Sequence, residues 1–422
     1  MQEDIIMTKG KKIALRVVCI VLAVIVFIAA VLVAVFFGIW HDEFATVNSF
    51  TMLRNRDDEH KDGAVYSMNV SGGFYFDDFL KQGGAKTDSQ LIGFISNKIT
   101  RGLIDMGIKE SDIGCSSFTA VTESGDRLFA RNYDFDKTNV CITLTNPGNG
   151  RHASFSTVDL NYVGMDTEKN VEGLMNKITC LAAPYAPLDG INDAGVSCGI
   201  YMTYQGEPED NNAVATNQND PDKPDITSTT MLRMILDYAD DVDEAVELVK
   251  KYNLHDSANT SFHYMVADAT GKSAILEWVP VGGTDATDND GSDRELVVTY
   301  NTGDDHIGEA EAKSDFQWIT NFIIQPGYYA SDDEKAGFDR YNQIYSDLSA
   351  TNGVVKNEWA AMDILKTVGR RSWGAGNGCT VHSVVYNLTQ KTVLWVSNEN
   401  FDDPTAIYEY SFKTGKLQRA SK

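Results

Sequence analysis

The residue with the greatest capacity for covalent chemistry is Cys115, which opens the segment CSSFTAVTESGDRLFARNYDFD. The alternation of this segment predicts two strands, and the turn at Glu123–Asp126 folds the second strand back on the first. Arg131 and Asp134 then lie beside Cys115 at the end of the second strand. Because a nearby guanidinium favours the thiolate form of a cysteine, this corner predicts a nucleophilic thiol.

Asp134 suggests a second feature of the same site. Its carboxylate could hold an α-ammonium group if Cys115 became the first residue of a chain. The free amine would then serve as general base for its own thiol, which removes the need for a catalytic histidine. The chain has seven histidines, and none stands in an obvious Cys/His pattern.

Further motifs follow Cys115 in a fixed order. Arg131 stands 16 residues after it (131 − 115) and Asp134 stands 19 after it (134 − 115). They are followed by DGINDAGVSCGIYM, NTSFHYMVADATGKSAILEW, FQWITNF and FDRY. Together these segments resemble the choloylglycine hydrolase and penicillin V acylase family of N-terminal-nucleophile hydrolases, over about residues 115–420. The resemblance implies a four-layer αββα sandwich of the α+β class.

The resemblance also implies a role for each matching residue. Cys115 is the nucleophile, Asp134 holds its α-amine and Arg131 tunes the thiolate. The remaining expected roles are an oxyanion donor at Asn321, support of the polar network by Arg340, and a second oxyanion donor at Tyr201 or, with a one-residue gap, Met202. No metal or organic cofactor is implied.

Typical bile salt hydrolases expose the cysteine by losing only the initiator methionine, whereas 114 residues precede it here. The resemblance therefore shifts towards acid-ceramidase-like enzymes and isopenicillin-N acyltransferase, which release an N-terminal segment autocatalytically. It implies cleavage of the Gly114–Cys115 bond. Gly114 lacks a side chain and can adopt the strained geometry that an N-to-S acyl shift needs.

The N-terminal region contains an uncharged apolar run from Val17 to Trp40, with Lys9, Lys11, Lys12 and Arg16 before it and Asp42 and Glu43 after it. As a helix it is long enough to cross the roughly 30 Å hydrocarbon core of a bilayer. The excess of basic residues on one side predicts a cytoplasmic N-terminus and an extracellular catalytic domain. A cleavable signal peptide is the alternative, although its apolar region would normally be shorter.

The hydrophobic patterns predict helices at about 89–106, 228–253, 337–348 and 356–368, with strands between and after them. Residues 41–66 are polar and predict a linker or stalk. We therefore expect a cytoplasmic segment at 1–16, a transmembrane anchor at 17–40, a linker and N-terminal pro-segment at 41–114, and the catalytic domain at 115–422.

The formal net charge of −24 argues against nucleic acid as a partner, because a polyanion would be repelled. The expected partners are a small-molecule N-acyl amide and, through the N-terminal helix, a membrane. Bile salt conjugates, penicillin V and N-acyl lipids all fit this class. The alternatives are an acyltransferase on the same fold and a non-catalytic surface-binding protein.

Overall fold

A computed structural model describes residues 2–99, 114–205, 213–280, 290–301, 316–371 and 378–420. The helices are α1 (Gln2–Ile39), α2 (His41–Ser49), α3 (Phe76–Lys81), α4 (Asp88–Ile99), α5 (Gly173–Thr179), α6 (Ser228–Tyr238), α7 (Val242–Val249), α8 (Phe338–Ser349) and α9 (Glu358–Thr367).

The strands before residue 205 are β1 (Thr51–Arg54), β2 (Val65–Val70), β3 (Gly114–Thr122), β4 (Arg127–Phe135), β5 (Val140–Thr145), β6 (Ser154–Asp159), β7 (Asp189–Asn192) and β8 (Ser197–Met202). The later strands are β9 (Asp225–Thr227), β10 (Asn253–His255), β11 (Phe262–Ala267), β12 (Ser273–Pro280), β13 (Arg294–Tyr300), β14 (Trp318–Ile319), β15 (Val354–Val355), β16 (Cys379–Asn387), β17 (Thr392–Ser397), β18 (Ile407–Ser411) and β19 (Lys416–Arg419).

Two large sheets carry the fold. One has nine strands in the order β1-β2-β5-β6-β7-β8-β11-β12-β13, and the other follows β14-β3-β4-β16-β17-β18-β19, with β15 paired to β3. Strands β9 and β10 form a separate parallel pair. Most strands of the large sheets have both faces buried, as sheets covered on both sides require.

The two large sheets face each other. Across the gap between them, Trp395 of β17 donates from Nε1 to Thr157 Oγ1 of β6 at 3.2 Å, and β3 contacts β8. Helices α6 and α7 contact the nine-stranded sheet, whereas α8 and α9 contact the other. This helix–sheet–sheet–helix arrangement confirms the predicted α+β class.

The helix expected at 228–253 is two helices in the structure. The acidic stretch between them ends α6 at Tyr238, and Asp241 caps α7 by accepting a hydrogen bond from the Glu244 backbone N–H at 2.8 Å. The segment expected at 89–106 is helical to Ile99; its continuation lies outside the described residues.

The structure differs from the expected stalk at 41–66. Strand β2 joins the nine-stranded sheet by pairing in parallel with β5, and β1 pairs with β2 at the sheet edge. Val65, Tyr66 and Met68 are buried there. The polar composition of this segment reflects its loops, while the alternation of β2 supplies the apolar face that packs.

Helix α1 is continuous over the apolar run, and several of its side chains are exposed, among them Ile20, Leu22 and Phe27. Within the residues described, no helix has the combination of length and apolarity required to cross a membrane. Membrane anchoring therefore stays a prediction.

Candidate active site

Cys115 is held in a regular antiparallel ladder between β3 and β4. It pairs with Tyr133, and Ser117 pairs with Arg131. Because side chains alternate across a strand, these four residues share one face of the sheet. That face points towards the nine-stranded sheet, where the Tyr133 hydroxyl donates to Asp159 Oδ2 at 2.8 Å.

Asp134 lies on the opposite face, since it is one residue further along β4 and pairs with Gly114. Asn132 shares this face and donates from Nδ2 to the Leu365 carbonyl of α9 at 2.9 Å. The Asp134 carboxylate and the Cys115 thiol are therefore on different sides of one sheet, although their backbones are adjacent.

The thiol contacts a buried guanidinium. Arg131 Nη2 lies 3.2 Å from Cys115 Sγ, and Arg131 Nε lies 3.0 Å from Asp189 Oδ2. The guanidinium also stacks over the Tyr201 ring, 4.4 Å from its centroid. Each of these four side chains is completely buried, so water screens none of the charges.

Burial raises the pKa of the Cys115 thiol to about 12. Arg131 lowers this pKa, the Asp134 carboxylate raises it, and Arg340 lowers it again. The loss of hydration outweighs the two cations, so the thiol is protonated at neutral pH in this state. A proton acceptor is required before the sulfur can attack.

Arg340, at the first turn of α8, connects the backbone of the cysteine to the polar residues around it. Its Nη1 donates to Cys115 O and to Asp134 Oδ2, each at 3.0 Å, and its Nη2 donates to Asn321 Oδ1 at 2.7 Å. Gly337 precedes the helix with φ +76, and a Cβ there would lie 2.8 Å from Arg340 Nη2. The absence of a side chain thus leaves room for the guanidinium.

Asn321 follows β14 and reaches the backbone nitrogen of the cysteine. Cys115 N donates to Asn321 Oδ1 at 3.1 Å, while Asn321 Nδ2 donates to Met202 O at 2.8 Å. The amide orientation is determined by its partners, because Arg340 only donates and a carbonyl only accepts. The second Nδ2 hydrogen has no partner among the described residues.

The partners of Asp134 differ from the one expected. Its Oδ1 accepts from Thr380 Oγ1 at 2.6 Å and its Oδ2 accepts from Arg340, whereas the hydrogen bond of Cys115 N is to Asn321. Asp134 is therefore linked to the cysteine nitrogen only through Arg340 and Asn321, and not by direct contact.

Tyr201 lies beside the thiol but is bonded elsewhere. Its hydroxyl donates to Ser117 Oγ, and burial raises its pKa well above the ordinary value. Met202 contributes its backbone carbonyl to Asn321, as described above. The structure therefore brings both candidates for the second oxyanion donor close to the cysteine, and the choice between them stays open.

Asp189 is a buried part of the site that the sequence reasoning did not identify. It accepts from His382 Nε2 at 2.8 Å and from the Tyr386 hydroxyl, in addition to its ion pair with Arg131. Burial alone raises the pKa of Asp189, but His382 and Arg131 outweigh it and hold that pKa below its ordinary value. The only sequence signal is its position at the head of the DGIND motif.

Comparison with known proteins relates the chain to one family of enzymes. Residues 115–282 match the model of the linear amide C–N hydrolases, choloylglycine hydrolase family. This match confirms the predicted family resemblance and the enzyme class, linear amide C–N hydrolase. No curated protein matches the chain.

Solved structures to which the chain is similar include penicillin V acylase from Agrobacterium tumefaciens, with 16% identity, a TM-score of 0.42, and coverage of 71% of this chain and 86% of that one. A conjugated bile acid hydrolase variant from Clostridium perfringens has 15% identity, a TM-score of 0.43, and coverage of 73% and 97%. The Caenorhabditis elegans ortholog of N-acylethanolamine-hydrolyzing acid amidase has 16% identity, a TM-score of 0.38, and coverage of 65% and 93%.

Proposed function

Residues 115–282 carry the signature of the choloylglycine hydrolase family of linear amide C–N hydrolases, and from that premise we propose a cysteine N-terminal-nucleophile hydrolase activated by self-cleavage at Gly114–Cys115. One observation supports it above the others. The nitrogen, carbonyl oxygen and sulfur of Cys115 are contacted by Asn321, Arg340 and Arg131, respectively, at 3.1, 3.0 and 3.2 Å. A purely structural cysteine needs none of these contacts.

In self-cleavage, the Cys115 sulfur attacks the Gly114 carbonyl carbon and forms a tetrahedral oxyanion. The C–N bond then breaks as the proton lost by the thiol passes to the departing nitrogen, so the acyl group is now on sulfur as a thioester and the cysteine nitrogen is a free amine. Water hydrolyses the thioester and releases a Gly114 carboxylate. The restored thiol now has its own α-amine as general base.

The same groups then act on the substrate. The amine takes the thiol proton, the thiolate attacks the acyl carbon of a linear amide, and the proton passes to the leaving nitrogen. Asn321, with Tyr201 or Met202, would stabilise the oxyanion, and water hydrolyses the acyl-enzyme. The proposed substrates are N-acyl compounds with a lipid-like or aryl acyl group, such as bile salt conjugates, penicillin V or N-acyl lipids.

The N-terminal fragment should remain bound after cleavage. Strand β2 lies inside the nine-stranded sheet, and Phe76 and Phe79 pack against the Tyr185 ring with centroids 5.7 and 6.0 Å apart. Ion pairs cross the same boundary, including Asp62 with Arg371 at 2.7 Å. Because α1 is part of this fragment and exposes apolar side chains, the fragment would also tether the enzyme to a membrane with the catalytic part outside the cell.

Intact-mass analysis of the purified full-length protein tests the proposal. We expect wild type to yield a fragment that begins at Cys115 and co-elutes with the N-terminal fragment. Cys115→Ala should remain one chain, whereas Cys141→Ala, a matched change at another buried cysteine, should be processed normally. Release of acid from glycine and taurine bile conjugates, penicillin V and N-acylethanolamines then identifies the substrate. A folded wild type that stays intact would refute self-cleavage.

A further inference from the structure

A buried histidine–carboxylate pair lies next to the site, outside the residues assigned so far. His263 of β11 and Glu277 of β12 are both completely buried, with Nδ1 and Oε1 2.9 Å apart. The other ring nitrogen, Nε2, lies 2.9 Å from the carbonyl oxygen of Thr320, the residue before Asn321.

The hydrogen-bond directions in this pair follow from its partners. The Thr320 carbonyl only accepts, so His263 Nε2 must carry a hydrogen. Glu277 Oε1 also accepts from the Ile324 backbone N–H at 2.8 Å, and Oε2 accepts from Gln325 Nε2 at 3.0 Å. His263 and Glu277 together therefore connect the Thr320 carbonyl with the donors at Ile324 and Gln325.

These contacts hold the loop on both sides of Asn321. His263 binds the loop immediately before Asn321, and Glu277 binds it three and four residues after. The loop has no regular secondary structure after Ile319 ends β14, so side-chain contacts determine its position. Two backbone contacts add to them: the Tyr204 N–H donates to Asn321 O at 3.0 Å, and the Ile323 N–H donates to a tyrosine hydroxyl.

His263 also reaches the second candidate oxyanion donor. It pairs in register with Tyr201 across β11 and β8, and the two rings meet edge to face with centroids 5.8 Å apart. Deleting the imidazole would thus loosen Tyr201 as well as the Asn321 loop. A single side chain contacts both halves of the proposed oxyanion site.

We propose that His263 and Glu277 are positioning residues that hold the Thr320–Gln325 loop, and through it the Asn321 side chain, against Cys115. The inference rests on the proposed function and adds to it. Neither residue touches the reacting atoms. Their contribution is to keep the Asn321 amide within hydrogen-bond distance of the cysteine, where an error of 1 Å costs about 100-fold in rate.

The test follows self-cleavage of the full chain by pulse–chase in cell-free translation. We expect His263→Leu to slow conversion about 100-fold. His263→Gln, whose Nε2–H can still reach Thr320 O, should stay within about 10-fold of wild type, and Glu277→Gln should be slower by at least about 10-fold. His255→Leu is the matched control, because His255 is a buried histidine paired with Asp225 in the separate two-stranded sheet.

Thermal unfolding of each precursor, in a Cys115→Ala background, separates stability from rate. His255→Leu should lower the unfolding midpoint and leave the cleavage rate unchanged, while rescue of the rate by His263→Gln identifies the contact with Thr320. If His263→Leu does not fold, Glu277→Gln decides the question. Cleavage of Glu277→Gln at the wild-type rate overturns the inference alone, whereas a wild type that never cleaves overturns the proposed function.

Discussion

Replacing Gly199 with alanine is a direct test of the contact between Arg131 and the thiol. Gly199 lies in β8, facing the site, and a Cβ there would lie 2.6 Å from Arg131 Nη1 and 2.7 Å from the Tyr201 hydroxyl. Ordinary contact with a Cβ begins at 3.4 Å. The guanidinium must therefore move by about 0.8 Å (3.4 − 2.6).

The substitution should affect the chemistry as well as the stability. The clashing atoms are the ends of two side chains, so the backbone keeps its course, and we expect an overpacking cost of about 1–3 kcal/mol. The guanidinium has little freedom to move without loss, because its Nε is paired with Asp189 and its Nη2 lies 3.2 Å from Cys115 Sγ. Displacement on this scale should slow self-cleavage and amide hydrolysis by about 100-fold.

The assay is the pulse–chase rate of self-cleavage, with urea unfolding of the uncleaved chain as the measure of stability. Gly93→Ala is the control: it lies in α4, and a Cβ there has no heavy atom within 4 Å. It should leave the cleavage rate unchanged and stabilise the helix by about 1 kcal/mol. A folded Gly199→Ala protein that cleaves as fast as wild type would show that Arg131 does not need its observed position.

Two further predictions concern Arg340 and Asp159. Arg340→Lys should slow self-cleavage roughly 100-fold, because one ammonium cannot replace a guanidinium fork that reaches three oxygens. An equal rate in this variant and in the control Arg419→Lys, at an exposed arginine of β19, would contradict that role. Burial raises the pKa of Asp159 from 3.8 to about 6, so the folded state binds this proton more tightly than the unfolded state. The stability it contributes is complete below about pH 4 and is lost as pH rises through 6. Urea unfolding in a Cys115→Ala background should therefore show Asp159→Asn gaining roughly 2 kcal/mol relative to its parent between pH 4 and 7, and a difference that does not change with pH would refute this explanation.

The sequence alone predicted the nucleophile corner well, because that corner is local. Alternation in β3 and β4, with a turn at Glu123–Asp126, is sufficient to place Arg131 and Asp134 next to Cys115 in the ladder. The turn is formed as expected, with Gly125 at φ +90. The family resemblance that the later motifs carry also implied that Asn321 and Arg340 belong to the same site.

The sequence did not reveal which partners each of these residues would have. Asp189 approaches Arg131 only because the two sheets stack face to face, and the contact between His263 and Glu277 depends on the register of β11 and β12. The expected stalk likewise became sheet when β2 paired with β5, a contact between residues about 75 positions apart.

The sequence alone predicts the type of chemistry, because a cysteine, a guanidinium and a carboxylate stand at fixed offsets in one hairpin, on a chain whose motifs match amide hydrolases. The links between Asp134 and the backbone of Cys115 through Arg340 and Asn321 become visible only in the folded structure, because these residues come from distant segments. The physical reason is that local alternation specifies neighbours along a hairpin, whereas contacts between distant segments depend on how whole sheets and helices pack.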